Sequence, residues 1–91
     1  MRKKILKFYA PWCGPCKSLS EVFEQNKELF EENDIEIQEV NTEKNIQLAQ
    51  DYGVRAIPHL ILLDDKNEVL KTYTGLVNVD ELKEFIQGPV A

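Results

Sequence analysis

Two cysteines separated by two residues are the part of this sequence best suited to chemistry. Cys13 and Cys16 are the only cysteines in the chain, and they stand in the run Trp12-Cys13-Gly14-Pro15-Cys16. This run joins a short apolar stretch to a segment with helical periodicity. The start of a helix presents unpaired N–H groups and a partial positive charge, both of which stabilise a thiolate. The pattern predicts a redox dithiol in which Cys13 attacks and Cys16 resolves.

The residues around the thiols are expected to differ in their roles. Cys13 precedes the helix and should be exposed, whereas Cys16 falls on the apolar stripe of the helix and should be less exposed. We expect Gly14 to permit a tight entry to the helix and Pro15 to stiffen it, since the first turn tolerates a missing N–H. Trp12 is predicted to form part of an apolar rim beside the thiol rather than part of the core.

Other uses of the cysteine pair fit the sequence less well. A closed structural zinc site usually takes four ligands. The chain offers two cysteines and one histidine, His59, so we expect no metal site of this kind within one chain. Two ordinary core cysteines would not explain the flanking Trp, Gly and Pro. For His59 we favour a strand residue with a solvated edge over a titratable group near the dithiol.

Composition and charge exclude several functional classes of protein. The 91 residues fit one domain, residues 1–91, and the 16 acidic against 11 basic residues give a net charge of −5. Nucleic acids and anionic membranes require a concentrated basic surface, which the sequence lacks. The apolar run near the start is broken by Lys7 and is too short for a signal peptide or a membrane span. We therefore expect a cytoplasmic protein, in which a cysteine pair is more often catalytic than a permanent staple.

The segments that must position the dithiol follow in the order β-α-β-α-β-β-α, which predicts an α/β fold. Strands are predicted at Lys3–Tyr9, Ile35–Asn41, His59–Leu63 and Glu68–Thr74. Helices are predicted at Pro15–Glu32, at Glu43–Tyr52, and from Asn78 to Gly88. The first two strands should be parallel with a right-handed crossover, and the last two should form a hairpin. The result is a four-stranded mixed sheet with helices on both faces.

Cap and turn residues support these helix ends. Asn41 or Thr42 can cap the second helix, and Gly53 suits a left-handed residue after its end. Asn78 opens the last helix, with Glu81 three residues later as a capping-box partner.

The segment from Phe8 to Lys17 resembles the active-site segment of thioredoxins. Val54 to Pro58 resembles their loop ending in a cis-proline opposite the dithiol, and Gly75 resembles the glycine that lines their substrate groove. The resemblance covers essentially the whole chain and implies the thioredoxin fold and general reduction of protein disulfides. It implies a separate reductase that regenerates the dithiol, and we expect a monomer with no bound cofactor. A cis bond at Ile57–Pro58 would let the backbone of Ile57 pair with an extended substrate.

Two departures from the family pattern stand out. The first is that thioredoxins usually carry an extra strand and helix before the strand that leads to the dithiol, for which we expect no room here. The glutaredoxin-like size keeps open a glutaredoxin-like protein or a dedicated electron donor to one enzyme. A non-enzymatic interaction module, with Trp12, Pro58 and Gly75 as its docking rim, is also open. Gly-Pro between the cysteines favours the thioredoxin reading.

The second departure lies behind the dithiol. Thioredoxins usually have a buried aspartate one residue before the Phe8 position and a lysine on the neighbouring strand, whereas this chain has Lys7 and Glu39. Lys7 interrupts an apolar run and Glu39 shares a face with apolar residues, so both are expected to be buried and an unpaired charge there would be costly. One hypothesis is a charge-swapped pair, with Glu39 accepting the proton of Cys16 or Lys7 lowering that thiol's pKa. The alternative is that both side chains reach solvent and have no catalytic part.

Overall fold

The computed structural model describes residues 2–90, and a four-stranded sheet with flanking helices forms its framework. Its strands are β1 (Lys3–Tyr9), β2 (Ile35–Asn41), β3 (His59–Leu63) and β4 (Val69–Thr74). Its helices are α1 (Gly14–Gln25), α2 (Lys27–Glu32), α3 (Ile46–Asp51) and α4 (Val79–Gln87). The predicted α/β fold with its four strands in this order is confirmed.

The sheet is mixed, as the sequence predicts. Its order is β2-β1-β3-β4, with β1 parallel to β2, and with β3 antiparallel to both β1 and β4. The register aligns Lys7 with Glu39 across β1 and β2. The centre of β1 is buried on both faces, because its apolar residues alternate between two cores.

Helices cover both faces of the sheet. One core lies between the sheet and α1, α2 and α4, and its members include Leu19, Phe23, Phe30, Leu60, Leu82 and Phe85. The other core lies on the α3 side and includes Leu6, Phe8, Val40, Ala49, Ile61 and Leu63. The long first strand therefore supplies both cores, and its C-terminal end delivers the chain to the dithiol.

The first predicted helix is interrupted. A continuous helix from Pro15 to Glu32 is wrong, because Asn26 adopts φ −125° and ψ 31° between α1 and α2. The Asn26 side chain donates to the carbonyl of Val22 at 2.7 Å, and its backbone N–H donates to that of Phe23 at 3.1 Å. Asparagine competes for backbone groups in this way and thereby ends helices.

The second predicted helix is shorter than expected. It spans Ile46–Asp51 rather than Glu43–Tyr52, and its N-cap Asn45 makes no side-chain capping bond. Asn41 instead accepts the N–H of Glu43 at 2.9 Å, which fixes a turn before the helix. Gly53 has φ +67°, the left-handed conformation predicted for it.

The last helix begins as predicted. Asn78 accepts the backbone N–H of Glu81 at 2.8 Å, and Glu81 accepts that of Asn78 at 3.0 Å, which completes the capping box. Among residues 2–90, no helix combines the length and the hydropathy that crossing a membrane requires.

Candidate active site

The two cysteines lie at the N-terminus of α1. Cys13 is the N-cap residue, and its Sγ accepts the backbone N–H of Cys16 at 3.2 Å. The two sulfurs are joined in a disulfide, with their Cα atoms 5.3 Å apart. Pro15 lies in the first turn, where its missing N–H removes no intrahelical bond. The helix N-terminus thus faces the sulfur of Cys13 with a hydrogen-bond donor and a partial positive charge.

Exposure does not separate the two sulfurs in this disulfide state. Cys13 is 4% exposed and Cys16 is 3% exposed, so the expectation of an exposed Cys13 is wrong for the oxidised form. Both pack in a small cluster with Ala10, and with Tyr9 and Ile57 at its border. Cys13 is covered by a residue distant along the chain, Ile57, as well as by the neighbouring sulfur. Helical periodicity alone does not reveal such a contact.

Gly14 is not required by the backbone. Its φ lies outside the left-handed region, and a Cβ built at this position meets no atom within 4 Å. A side chain would therefore fit at residue 14, and the role of Gly14 in the entry to the helix stays a prediction. The space above Gly14 is open surface beside the disulfide.

A rim of three segments borders the disulfide. Trp12 is 70% exposed, and its indole N–H donates to Glu43 at 2.9 Å. The Ile57–Pro58 bond is cis, and the Pro58 carbonyl accepts the N–H of Gly75 at 2.8 Å. Gly75 has φ +105°, a conformation that favours glycine. Ile57 packs against the cysteine cluster, and the hydrogen bond to Pro58 places Gly75 beside the cis-proline. The part of Trp12, Pro58 and Gly75 in substrate binding stays a prediction.

Behind the disulfide, Lys7 and Glu39 are in contact. The Lys7 ammonium donates to Glu39 Oε1 at 2.7 Å and to Ser20 Oγ at 2.5 Å, and it lies 5.3 Å from the centre of the Phe23 ring. The Lys7 side chain is 3% exposed, whereas that of Glu39 is 58% exposed. The expectation that Glu39 is buried is wrong, because β2 lies at the edge of the described sheet and its carboxylate reaches solvent.

Two grooves meet at this ion pair. One, of ≈ 280 Å³, is lined by Tyr9, Ala10, Pro11, Cys16, Lys17, Ser20 and Glu39. The other, of ≈ 320 Å³, is lined by Lys7, Ser20, Phe23, Glu24, Lys27, Phe30, Ile37 and Glu39. Ser20 and Glu39 line both grooves, and Cys16 lines the first. Cys16 and Glu39 therefore line one groove, although no hydrogen bond joins them within the described residues.

His59 is buried rather than solvated. It is 9% exposed, its Nδ1 lies 2.8 Å from Thr74 Oγ1, and its ring packs edge-on to Phe8. Within residues 2–90 its Nε2 has no hydrogen-bond partner. Burial lowers the pKa of His59 below its usual value. The predicted solvated edge is wrong, because β4 and Phe8 cover the start of β3 on both sides.

Two site residues are absent from the sequence-based prediction. Ser20 could have been found, because it lies one helical turn after Cys16 and therefore on the same face of α1. Glu43 carries no comparable signal, since its contact with Trp12 joins two turns far apart in sequence.

Comparison with known sequences agrees with this geometry. The sequence model of the Thioredoxin family matches residues 1–88. Thioredoxin of Buchnera aphidicola subsp. Acyrthosiphon pisum is 38% identical over 82 residues, which cover 90% of this chain and 74% of the relative. Thioredoxin of Bacillus subtilis is 36% identical over 80 residues, which cover 87% of this chain and 74% of the relative. The chain spans about three-quarters of the length of these relatives.

Comparison with solved structures gives the same fold. A single-substitution mutant of thioredoxin from Halobacterium salinarum superposes with a TM-score of 0.82 and 36% identity, covering 98% of this chain and 75% of that protein. The cysteine spacing, the disulfide at a helix N-terminus and these similarities favour a thioredoxin over the glutaredoxin-like and non-enzymatic alternatives. The chain belongs to the thioredoxin family of thiol-disulfide oxidoreductases.

Proposed function

We propose that the chain is a protein-disulfide reductase. In the reduced protein the Cys13 thiolate attacks a substrate disulfide, forming a mixed disulfide and releasing one substrate thiolate. Cys16 then attacks Cys13, which releases the second substrate thiolate and leaves the Cys13–Cys16 disulfide. The observation that carries the proposal is this disulfide at the N-terminus of α1, where Cys13 receives the N–H of Cys16.

The rim around the disulfide fits an extended protein segment. Within residues 2–90, neither the N–H nor the C=O of Ile57 makes a backbone hydrogen bond, and both belong to the loop beside the dithiol. A substrate strand can pair with these groups without regard to its side chains. Trp12 adds an exposed apolar surface, and the space where Gly75 would carry a side chain is open. We assign Trp12, Ile57, Pro58 and Gly75 to substrate binding, and Gly14 and Pro15 to the active-site loop.

The pair behind the dithiol is suited to proton transfer. Cys16 must lose its proton before it can attack, and a carboxylate joined to it by a groove is a suitable acceptor. We assign this task to Glu39, with Lys7 holding its carboxylate through the 2.7 Å hydrogen bond.

Proteins of this family generally act on disulfide substrates and are reduced by a reductase. We propose that a separate thioredoxin reductase supplies electrons to this chain, which works as a monomer in electron transfer and in maintaining the redox balance of the cytoplasm. A reducing compartment fits a cysteine pair used for exchange rather than for stability. Measuring the reduction potential, and comparing glutathione with thioredoxin reductases as reductant, tests this assignment. Rapid reduction by glutathione alone would favour the glutaredoxin-like alternative.

Reduction of insulin disulfides in the presence of dithiothreitol tests the activity. The wild-type chain should accelerate the reaction, and Cys13→Ser should reduce the rate to that of dithiothreitol alone, because the attacking thiol is lost and the remaining thiol, Cys16, is buried. Trp12→Ala serves as a partial control, since it weakens only the rim. Equal rates with and without the wild-type chain would refute the reductase, and partner binding that survives loss of both thiols would favour an interaction module.

A further inference from the structure

Ser20 lies between the two parts of the site without an assigned role. It follows Cys16 by one turn of α1, so both residues face the same side of the helix. Its Oγ accepts a hydrogen bond from the Lys7 ammonium at 2.5 Å. It also lines the groove of ≈ 280 Å³ that Cys16 and Glu39 share. No other residue of α1 contacts Lys7 through a hydrogen bond within the described chain.

The position of the Lys7 ammonium depends on few contacts. A lysine ammonium is a compact charge on a flexible stem, and its position is set by its partners. Here the partners are Ser20 on α1, Glu39 on β2 and the face of the Phe23 ring. Without Ser20, a single hydrogen bond to a largely exposed carboxylate would remain, and the ammonium would follow Glu39 toward solvent.

We propose that Ser20 is a positioning residue for the resolving step. It fixes the ammonium of Lys7, which in turn holds the carboxylate of Glu39 at the groove that reaches Cys16. This role rests on the proposed reductase activity and adds a residue to it.

The step balances as follows. The Cys16 thiol gives its proton to Glu39, and its sulfur forms a bond to the Cys13 sulfur. The bond between Cys13 and the substrate sulfur breaks, and the departing substrate thiolate takes a proton back from Glu39 or from water. The other charged or titratable groups that line the two grooves are Tyr9, Lys17, Glu24 and Lys27. Lys27 is paired with Glu24 at 2.7 Å, outside the Lys7 contacts.

Stopped-flow reaction of the reduced protein with 5,5′-dithiobis(2-nitrobenzoate) separates the two chemical steps. The first release of coloured thiolate reports attack by Cys13, and the second reports resolution by Cys16. Ser20→Ala should slow the second release about tenfold, the loss expected for one hydrogen bond to a charged group, and should leave the first unchanged. Ser20→Thr, which keeps the hydroxyl, should restore the second release.

Two further variants complete the test, one as a control and one to show whether Ser20 acts through Glu39. The matched control is Ser18→Ala, because Ser18 is exposed on the same helix and lines a different groove. It should react like wild type. The double variant of Ser20→Ala with Glu39→Gln should be no slower than Glu39→Gln alone, since coupled residues are non-additive. Alanine favours the helix, and urea unfolding of the Ser20→Ala variant checks that it is folded.

The experiment distinguishes failure of the proposed role of Ser20 from failure of the proposed reductase activity. A second release unchanged in Ser20→Ala, equal slowing of both releases, or full additivity with Glu39→Gln would overturn the role of Ser20 and leave the reductase standing. A wild-type protein that shows neither release would overturn the reductase itself.

Discussion

Lys7 is the residue whose placement most needs a physical account. An ammonium that is 3% exposed is desolvated on nearly every side, and its only charged hydrogen-bond partner among residues 2–90 is Glu39 at 2.7 Å. Such a pair contributes little or nothing to stability compared with an apolar residue of similar size, because desolvation opposes the attraction. The presence of this pair is more readily explained by chemistry at Cys16 than by folding.

Lys7→Met separates stability from chemistry at this position. Methionine fills the same volume against Phe23 without a buried charge, so the free energy of unfolding should be unchanged or higher by about 1 kcal/mol. Urea unfolding measures this. Glu39→Gln is the comparison variant, since it leaves the Lys7 ammonium without its carboxylate and should lower stability. A loss of several kcal/mol in Lys7→Met would show that the ion pair is chiefly structural.

His59 predicts how stability depends on pH. Burial lowers the pKa of His59 in the folded protein, so the unfolded chain binds its proton more readily. The stability from neutral His59 is therefore complete above the unfolded value of about 6.5 and falls as the pH drops below it. The fall cannot exceed about 1.4 kcal/mol per pH unit for one proton.

Urea unfolding between about pH 7.5 and 5.5 checks this expectation. His59 is the only histidine in the chain, so the difference between wild type and His59→Asn isolates its contribution. Wild type should lose more stability than the variant as the pH falls. The same loss in both proteins would assign the effect to other groups.

For single residues, the sequence pattern predicted which residues belong to the site better than it predicted how buried each of them is. The dithiol was predictable because its residues are close together in sequence. The Lys7–Glu39 contact was one of two hypotheses suggested by the resemblance to thioredoxins, and the parallel register of β1 and β2 brings the two residues side by side. The burial of Cys13 and His59 was not predictable, because the atoms that cover them come from segments far along the chain. The exposure of Glu39 likewise depends on β2 lying at the edge of the described sheet.

Among the elements, α4 is held to the sheet by polar contacts at both ends. The Tyr73 hydroxyl donates to Glu81 at 2.6 Å near its start, and Lys71 donates to the Gly88 carbonyl at 2.8 Å beyond its end. The Tyr73–Glu81 hydrogen bond raises the pKa of Tyr73 and lowers that of Glu81. Glu81 also completes the capping box with Asn78, so one carboxylate serves both the cap and the strand contact.

Asn78→Ala tests the cap. It removes the acceptor for the Glu81 N–H, and the free energy of unfolding should fall by about 1 kcal/mol. Asn78→Ser keeps a capping oxygen and should lie near wild type in the same urea experiment. Equal stability of the alanine and serine variants would show that the capping bond contributes nothing measurable.

The elements themselves were largely predictable, with one informative exception. Apolar periodicity predicted α1 and α2 as one helix, because Phe30 continues the stripe of Leu19 and Phe23 in the same core. The break at Asn26 depends on a side-chain amide that takes the carbonyl of Val22. The hydrophobic pattern cannot show that a side-chain amide competes for a backbone carbonyl in this way.

At the scale of the whole molecule, β1 is the strand that connects the other parts of the fold. This strand pairs with β2 and β3, supplies both cores, and leads directly into the dithiol. A βαβ unit followed by a hairpin requires both parallel and antiparallel pairs, which is why the mixed direction of the sheet was predictable, whereas the strand order was not predicted. On β2, the exposed carboxylates of Glu36 and Glu39 give the outer strand of the described sheet a charged edge, a feature that discourages pairing with other chains.

At this scale the central claim is that one sulfur attacks and the other resolves. The most direct test is to capture the mixed disulfide with a protein disulfide such as insulin and to locate it by mass spectrometry of peptides. Cys16→Ser should accumulate a covalent adduct at Cys13, because attack proceeds and resolution does not. Cys13→Ser should form almost none. Equal adducts in the two variants, or an adduct confined to Cys16, would contradict the account.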